Sequence, residues 1–310
     1  MDISVIIVNW NVAPFLEKCL ASIYVLTKDA AFEVFVVDNN SSDGSPAMVR
    51  EKFPAVTLIA NNENLGFARA NNQALKEARG RYALLLNPDT ELTDNALKAM
   101  ASFMDAHGDI DAMAPQLVFP DGTVQPSCRH FPSPLTDLME NLYLDWLFPE
   151  SPFFNRYRMG YWKHDSMKAV DVPYGACLLV RRATLDKIGV FDERFFMYYD
   201  EIDLCYRIKR GGGKIYFVPQ IKVVHHSRRS SEQAPVDTAR WKARSKALFF
   251  KKHYGALGVS ALRFNIMLQS IMAWGPLSLS HLLFRYPSDI EYIKNEIRIN
   301  KGEYGRSAIK

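Results

Sequence analysis

From Met1 to about residue 118, short β-branched runs alternate with longer stretches of helical periodicity, and this limits the chain to βαβ units on a mainly parallel sheet. Strands are predicted at Ile3–Val8, Val34–Val37, Val56–Ile59, Tyr82–Leu86 and Ala112–Val118. Helices fall near Pro14–Val25, Ser45–Lys52, Gly66–Ala78 and Asp94–Ala106. Runs as continuously apolar as Val34-Phe35-Val36-Val37 fit strands covered on both faces. The first four strands end in polar residues, Asn9, Asp38, Asn61 and Asn87. Ligands of such sheets bind beyond the carboxyl ends of the strands, so four strand ends point at one crevice.

Residues 120–170 are rich in proline, aromatics and turn signals and read as an insertion shaping an acceptor site. Beyond it come a strand at Ala176–Val180, a helix at Ala183–Ile188, a helix opening near Tyr199 and running to Arg210, and strands at Ile215–Val218 and Lys222–His225. After Pro235 the pattern is helical. This gives a catalytic domain over 1–235 and a basic helical extension over 236–310. With 310 residues, 48% hydrophobic and 23% charged, the chain can bury a sizeable core and is neither a disordered nor a collagenous polypeptide. Cys19, Cys128, Cys177 and Cys205 are widely spaced, form no C-x-x-C pair and follow no signal peptide, which suits reduced thiols in the cytoplasm.

Five motifs carry polar chemistry. The stretch Asp38-Asn39-Asn40-Ser41-Ser42-Asp43-Gly44-Ser45 sets a carboxylate at a strand end ahead of a helix N-terminus, suited to a base or ribose at Asp38, while Asp43 reads as a helix cap. In Asn64-Leu65-Gly66-Phe67-Ala68-Arg69-Ala70-Asn71-Asn72, Gly66 permits a close backbone approach and Arg69 can meet a diphosphate. In Asn87-Pro88-Asp89-Thr90, Asp89 is a hard oxygen ligand placed just past an apolar strand, or else a cap for the helix that follows. In Phe195-Phe196-Met197-Tyr198-Tyr199-Asp200-Glu201-Ile202-Asp203, the first two acids follow an aromatic run whose apolar walls suit a general base, and Asp203 pairs with Arg207 one turn on. Last, His225-His226-Ser227-Arg228-Arg229 closes a strand with an imidazole able to complete a metal site and a basic loop able to cover phosphate.

Together and in this order, the five motifs resemble family 2 glycosyltransferases, most closely their rhamnosyltransferase-type branch, over about residues 1–255. The resemblance implies a GT-A fold, an α/β architecture with a mainly parallel Rossmann-like sheet flanked by helices, here with a helical C-terminal extension. It implies inverting transfer from a nucleoside-diphosphate sugar, either dTDP-rhamnose or a UDP-sugar. The donor-binding set it suggests is Asn9, Asp38, Asn64, Gly66, Arg69, Asn72, Asn87 and Arg228. Asp89 and His225 would hold Mg2+ or Mn2+, and Glu201 or Asp200 would take the acceptor proton. Two departures stand out. The family's Asp-x-Asp metal motif begins here with Asn87, and its Glu-Asp base motif reads Asp200-Glu201; alignment on Asp203-Leu204-Cys205 puts Glu201 at the catalytic position. A non-catalytic nucleotide-sugar-binding protein is the rival reading. A sugar nucleotidyltransferase would show a glycine-rich loop after the first strand, where this chain has Asn9-Trp10-Asn11-Val12-Ala13-Pro14.

The net charge of +4 argues against a nucleic-acid partner but conceals an asymmetry. Thr238–Ser288 contains eight Lys or Arg and no acid, whereas the remainder has 30 basic and 34 acidic residues. Within it, Phe264–Phe284 is uncharged yet holds Asn265, Gln269, Pro276 and His281, favouring an interfacial amphipathic segment over a membrane span. The expectation is a peripheral protein at the inner face of the cell membrane, acting on a polyprenyl-diphosphate-linked glycan and touching an anionic lipid surface.

Overall fold

A computed structural model describes residues 1–227, 235–274, 295 and 297–303. Two compact units emerge. One comprises Met1–Arg129, Lys163–Phe196 and Asp200–Gln233; the other comprises His130–Trp162, Met197–Tyr199 and Ala234–Lys310. The cut expected at 235/236 therefore does not separate the C-terminal helix from the 130–162 part of the insertion.

The first unit opens with β1 (Ile3–Asn9), α1 (Ala13–Leu26), β2 (Phe32–Asp38), α2 (Ser45–Lys52), β3 (Thr57–Ala60) and α3 (Phe67–Glu77). It continues with β4 (Tyr82–Leu86), β5 (Thr90–Leu92), α4 (Ala96–Ala106), β6 (Ala112–Val118) and β7 (Cys128–Arg129). In the second unit lie α5 (Pro134–Asn141) and α6 (Leu144–Leu147). The first unit resumes with β8 (Lys168–Ala169), β9 (Val172–Pro173), β10 (Cys177–Arg181), α7 (Arg182–Ile188), α8 (Asp200–Arg210) and β11 (Ile215–His225). The second also holds α9 (Pro235–Trp274), broken at Gly255, where φ is +64°, and a helical stretch over 297–303.

The main sheet runs β3-β2-β1-β4-β10-β6-β11-β5, with β8 paired to β11. Pairs β1–β2, β1–β4, β2–β3 and β6–β11 are parallel. The chain steps outward from β1 to β3 and returns to β4 on the other side of β1, so the strand order reverses at the carboxyl ends of β1 and β4, the place where open α/β sheets bind ligands. β10 is antiparallel between β4 and β6, and Cys177 at its start pairs with Leu86 at the end of β4. Its lead-in, Tyr174-Gly175-Ala176, is thereby delivered to the crevice. Ile3, Val5 and Ile7 of β1 join Leu16, Leu20 and Ile23 of α1 and Leu97, Met100 and Met104 of α4 in a solvent-free core. All four cysteines are free and buried, and burial pushes the Cys19 thiol up to about 12.

In the second unit, α5 starts in a capping box, with Ser133 Oγ accepting from Thr136 N at 3.2 Å and Thr136 Oγ1 from Ser133 N at 2.8 Å. Its buried Asp137 pairs with Lys246 of α9 and accepts from Asn265 Nδ2 at 2.8 Å. These bonds explain why the insertion and the C-terminal helix fold as one body.

Candidate active site

Asn9 and Asp38 face each other across the β1–β2 register. Asn9 Nδ2 donates to Asp38 Oδ2 at 2.8 Å, and the backbone N–H of Ser41 donates to Asp38 Oδ1 at 2.8 Å. Both side chains are buried, and Asn9 Oδ1 has no hydrogen-bond partner among the described residues. Each oxygen of Asp38 keeps a second lone pair for a ligand donor. Asp43 accepts from Ala13 N at 2.7 Å and Ser45 N at 3.0 Å and so ties the starts of α1 and α2 together; it is not the expected cap, because the N-cap position of α2 is Gly44, which has no side chain to cap with.

The glycine motif is bound to its neighbours by backbone. Gly66 has φ +80°, and a Cβ there would stand 2.3 Å from Phe196 O, so only glycine fits. Phe67 N donates to that same oxygen at 2.6 Å, Asn39 Nδ2 donates to Gly66 O at 3.2 Å, and Gly66 N donates to Asn64 Oδ1 at 3.0 Å. Asn72 is a tether: its amide donates to Phe191 O and Glu193 Oε1 and accepts from Phe191 N. Arg69 is about half-exposed, with Nε 3.8 Å from Glu193 Oε2.

Asn87 N donates to Ala176 O at 2.9 Å, fixing the metal motif to the β10 lead-in. Asp89 does not cap a helix, because β5 intervenes before α4. Instead its Oδ1 lies 3.4 Å from His225 Nε2, both side chains being 7% exposed. His225 Nδ1 donates to Gln125 Oε1 at 2.7 Å. That bond leaves Nε2 facing a carboxylate oxygen, an arrangement satisfied by one positive charge between them, either a proton on Nε2 or a metal cation. The oxygen and imidazole donors thus fit a divalent metal. No group of three or more His, Cys, Asp or Glu side chains that could hold an ion occurs among the described residues. His226 turns away, with Nε2 2.6 Å from Glu91 Oε1 and its ring against Phe15. Arg228 lies outside the described residues.

Asp200 and Glu201 open α8. Asp200 is buried and its Oδ2 has no hydrogen-bond partner among the described residues; burial, and then the neighbouring Glu201 charge, raises its pKa well above the ordinary carboxylate range. Glu201 is half-buried and packs on Gly175, where an added Cβ would come within 3.3 Å of Glu201 Cβ. Asp203 is a structural residue: it accepts from Arg207 Nε at 2.9 Å, and Arg207 also holds the carbonyls of Ile188, Gly189 and Val190.

Contacts therefore join all five motifs: Asn39 to Gly66, Phe67 to Phe196, Asn87 to Ala176, Gly175 to Glu201 and Asp89 to His225. Sequence reading missed Gln125, Gly175, Ala176 and the Phe196 carbonyl. Only Gly175 left a signal, a small residue just before a buried strand.

Residues 4–189 match the family model described as Glycosyl transferase family 2. The N-acetylglucosaminyl-diphospho-decaprenol L-rhamnosyltransferase of Mycobacterium tuberculosis (strain ATCC 25618 / H37Rv) is 30% identical over 293 residues, covering 91% of this chain and 92% of its own. Rhamnosyltransferase WbbL of Escherichia coli (strain K12) is 24% identical, covering 78% and 89%. Among solved structures, mannosyltransferase PcManGT from Pyrobaculum calidifontis, in complex with GDP-Man and Mn2+, superposes with a TM-score of 0.58 at 20% identity over 96% of this chain and 86% of that one. S. aureus TarS 1-349 gives 0.53 at 18% identity, over 99% and 92%. At such identities the structural likeness establishes the GT-A-like fold, and the match across most of the sheet supplies the kinship: this chain is a glycosyltransferase of family 2.

Proposed function

We propose that the enzyme transfers a sugar, with rhamnose favoured, with inversion from a nucleoside-diphosphate donor, dTDP-rhamnose or else a UDP-sugar, to a hydroxyl of a polyprenyl-diphosphate-linked glycan, in assembly of a cell-surface polysaccharide at the cytoplasmic face of the membrane. The observation that carries this reading is the linkage of the five motifs by direct contacts around the strand-order reversal. Support for sugar and acceptor comes from the relatives that are rhamnosyltransferases, one of them acting on a decaprenol diphosphate.

In this mechanism Asp38, already oriented by Asn9 and Ser41, accepts hydrogen bonds from the nucleoside, and Asn64, Gly66 and Asn87 shape the backbone around the donor. Asn72 serves indirectly, holding Phe191 and Glu193 against α3. Arg69 is assigned to the diphosphate; Arg228, expected to join it, lies outside the described residues. Asp89 and His225 would hold Mg2+ or Mn2+, which when bound supplies positive charge to the leaving diphosphate. Glu201 takes the proton of the acceptor hydroxyl as its oxygen attacks the anomeric carbon. The bond to the diphosphate breaks on the opposite face and the nucleoside diphosphate departs, so configuration inverts without a covalent enzyme intermediate.

The test is Glu201→Gln, assayed for transfer and, separately, for donor binding by calorimetry. Transfer is expected to fall by roughly 10^2–10^4-fold with donor affinity within a few-fold of wild type. Turnover at the wild-type rate would remove Glu201 from this role and pass it to Asp200.

A further inference from the structure

Beyond Gly255, α9 buries polar residues beside Val259, Leu262 and Ile266 and leaves large apolar residues on its outer face. Its buried face carries Asn265, Gln269 and Ser270: Asn265 donates to Asp137 and to Pro134 O, Gln269 Nε2 donates to Tyr143 OH at 3.0 Å, and Ser270 Oγ donates to Ile266 O. Its outer face carries Leu257 (84% exposed), Phe264 (52%), Met267 (47%) and Ile271 (59%). Leu257, Phe264 and Ile271 are seven residues apart, two helical turns, and so form one stripe. A row of large apolar side chains turned outward at two-turn spacing is the pattern of a helix whose outer medium is not water.

A second apolar group belongs to the same unit. Trp146 on α6 and Phe148 and Phe153 beyond it are 49–59% exposed, and the last two flank the Phe154 ring. The Gln269–Tyr143 bond ties α9 to the residue just ahead of α6, so both groups border one joint. Among the described residues no helix is long and apolar enough to cross a membrane. What remains is contact from one side.

We infer that this apolar face, the α9 stripe together with Trp146, Phe148 and Phe153, seats the second unit in the headgroup and acyl boundary of an anionic bilayer. The insertion, expected to shape the acceptor site, thereby becomes part of the lipid contact. Charge selects the occupant. Of the eight basic residues in the acid-free tract Thr238–Ser288, Arg240, Arg244 and Lys246 pair with Asp237, Glu303 and Asp137, while Lys242 and Lys251 are exposed before the Gly255 break and Arg263 is exposed within the stretch that carries the stripe. Anionic headgroups complement that charge, whereas a second copy of the chain would bring like charges together. The inference rests on the proposed lipid-linked acceptor only for its use in the cell; lipid contact itself is independent of the donor chemistry.

The test is co-sedimentation of the full chain with phosphatidylglycerol/phosphatidylcholine vesicles and with pure phosphatidylcholine vesicles, alongside donor binding. Wild type is expected to bind the anionic vesicles preferentially. Phe264→Ser with Ile271→Ser, and Phe148→Ser with Phe153→Ser, are each expected to lower partitioning roughly tenfold, with melting temperature and donor affinity unchanged. Wild-type partitioning by both double variants overturns the inference. So does a monomer–dimer shift, seen by ultracentrifugation, in variants that still bind vesicles normally. Failure of wild type to bind any nucleotide sugar would count against the proposed transfer reaction and leave the vesicle result standing.

Discussion

At the ends of β2 and β4, carboxylates come with partners already in place: Asp38 accepts from Asn9 and Ser41, and Asp89 faces His225. At the start of α8 the arrangement is the opposite. Asp200 is buried with an Oδ2 unpaired among the described residues, and the charge adding to its raised pKa is another carboxylate, Glu201. α8 is not built this way throughout, since Asp203, one turn on and fully buried, has the Arg207 guanidinium on it. Among the described residues of α8, the unsatisfied carboxylate oxygen is that of Asp200, at the first position. On the proposed reading, the difference teaches that the donor side is arranged beforehand to bind, whereas the acceptor side keeps the proton affinity of Asp200 high, which binding alone does not require.

The largest way to break this contrast is to remove the donor-side carboxylate that faces His225. Asp89→Asn keeps the shape and leaves the backbone bond from His226 N to Asp89 O in place. Even outer partners of a metal ligand are worth about 10–100-fold in affinity, so Mn2+-dependent donor binding, measured by calorimetry, is expected to weaken by roughly 100-fold or more. Binding of the donor without metal should change little. If donor affinity is equally strong with and without Mn2+ in wild type, the Asp89–His225 contact is an ion pair and not a metal site.

Much of the donor side was legible in the sequence because near-continuous apolar runs mark β1 to β4, and the polar residue ending each run marks the crevice. Tyr82–Leu86 and Ala112–Val118 occur as expected. β5, with three residues after a turn, and the two-residue strands β7, β8 and β9 are too short for any periodicity to register. The direction of β10 was not legible either, since an apolar pentapeptide reads alike in both directions. That direction delivers Gly175 and Ala176 to the acids and to Asn87. Gln125 gave no signal, being one polar residue in a turn-rich stretch. Asn72 illustrates the converse: a helix-opening asparagine looks like a ligand until its partners, Phe191 and Glu193, are brought from 119 and 121 residues away.

Gly175→Ala sharpens the acceptor side of the comparison. A methyl group there meets Glu201 Cβ at 3.3 Å and Cγ at 3.4 Å, so the glutamate must yield by a few tenths of an ångström. No donor-side side chain lies within 4 Å of that methyl. Transfer rate at saturating substrates is expected to fall roughly tenfold, as misplacement of a reacting group costs rate steeply, with donor affinity unchanged. A loss of donor affinity instead would show that the two sides are not separable at Ala176.

The smallest expected effect concerns stability, and its sign distinguishes the two sides. The folded chain holds the Asp200 proton more tightly than the unfolded chain does, because burial, reinforced by Glu201, disfavours the charged form. Below the unfolded value, about 4, both states are protonated and the group costs nothing. As pH rises from there toward the raised folded value, the unfolded state is progressively favoured, and above it the loss is complete. Asp200→Asn removes this term, so the variant is expected to be more stable than wild type at pH 8 by about 1–2 kcal/mol, the scale of an unsatisfied buried polar group. The gap should close toward pH 4 in urea titrations. Because Glu201 remains, transfer should stay within roughly tenfold of wild type, the low end of what one proton-transfer group contributes. Destabilisation at pH 8 would mean that Asp200 is a charged, partnered acid like Asp203. A transfer loss as deep as that of Glu201→Gln would make the base the pair, not the glutamate alone.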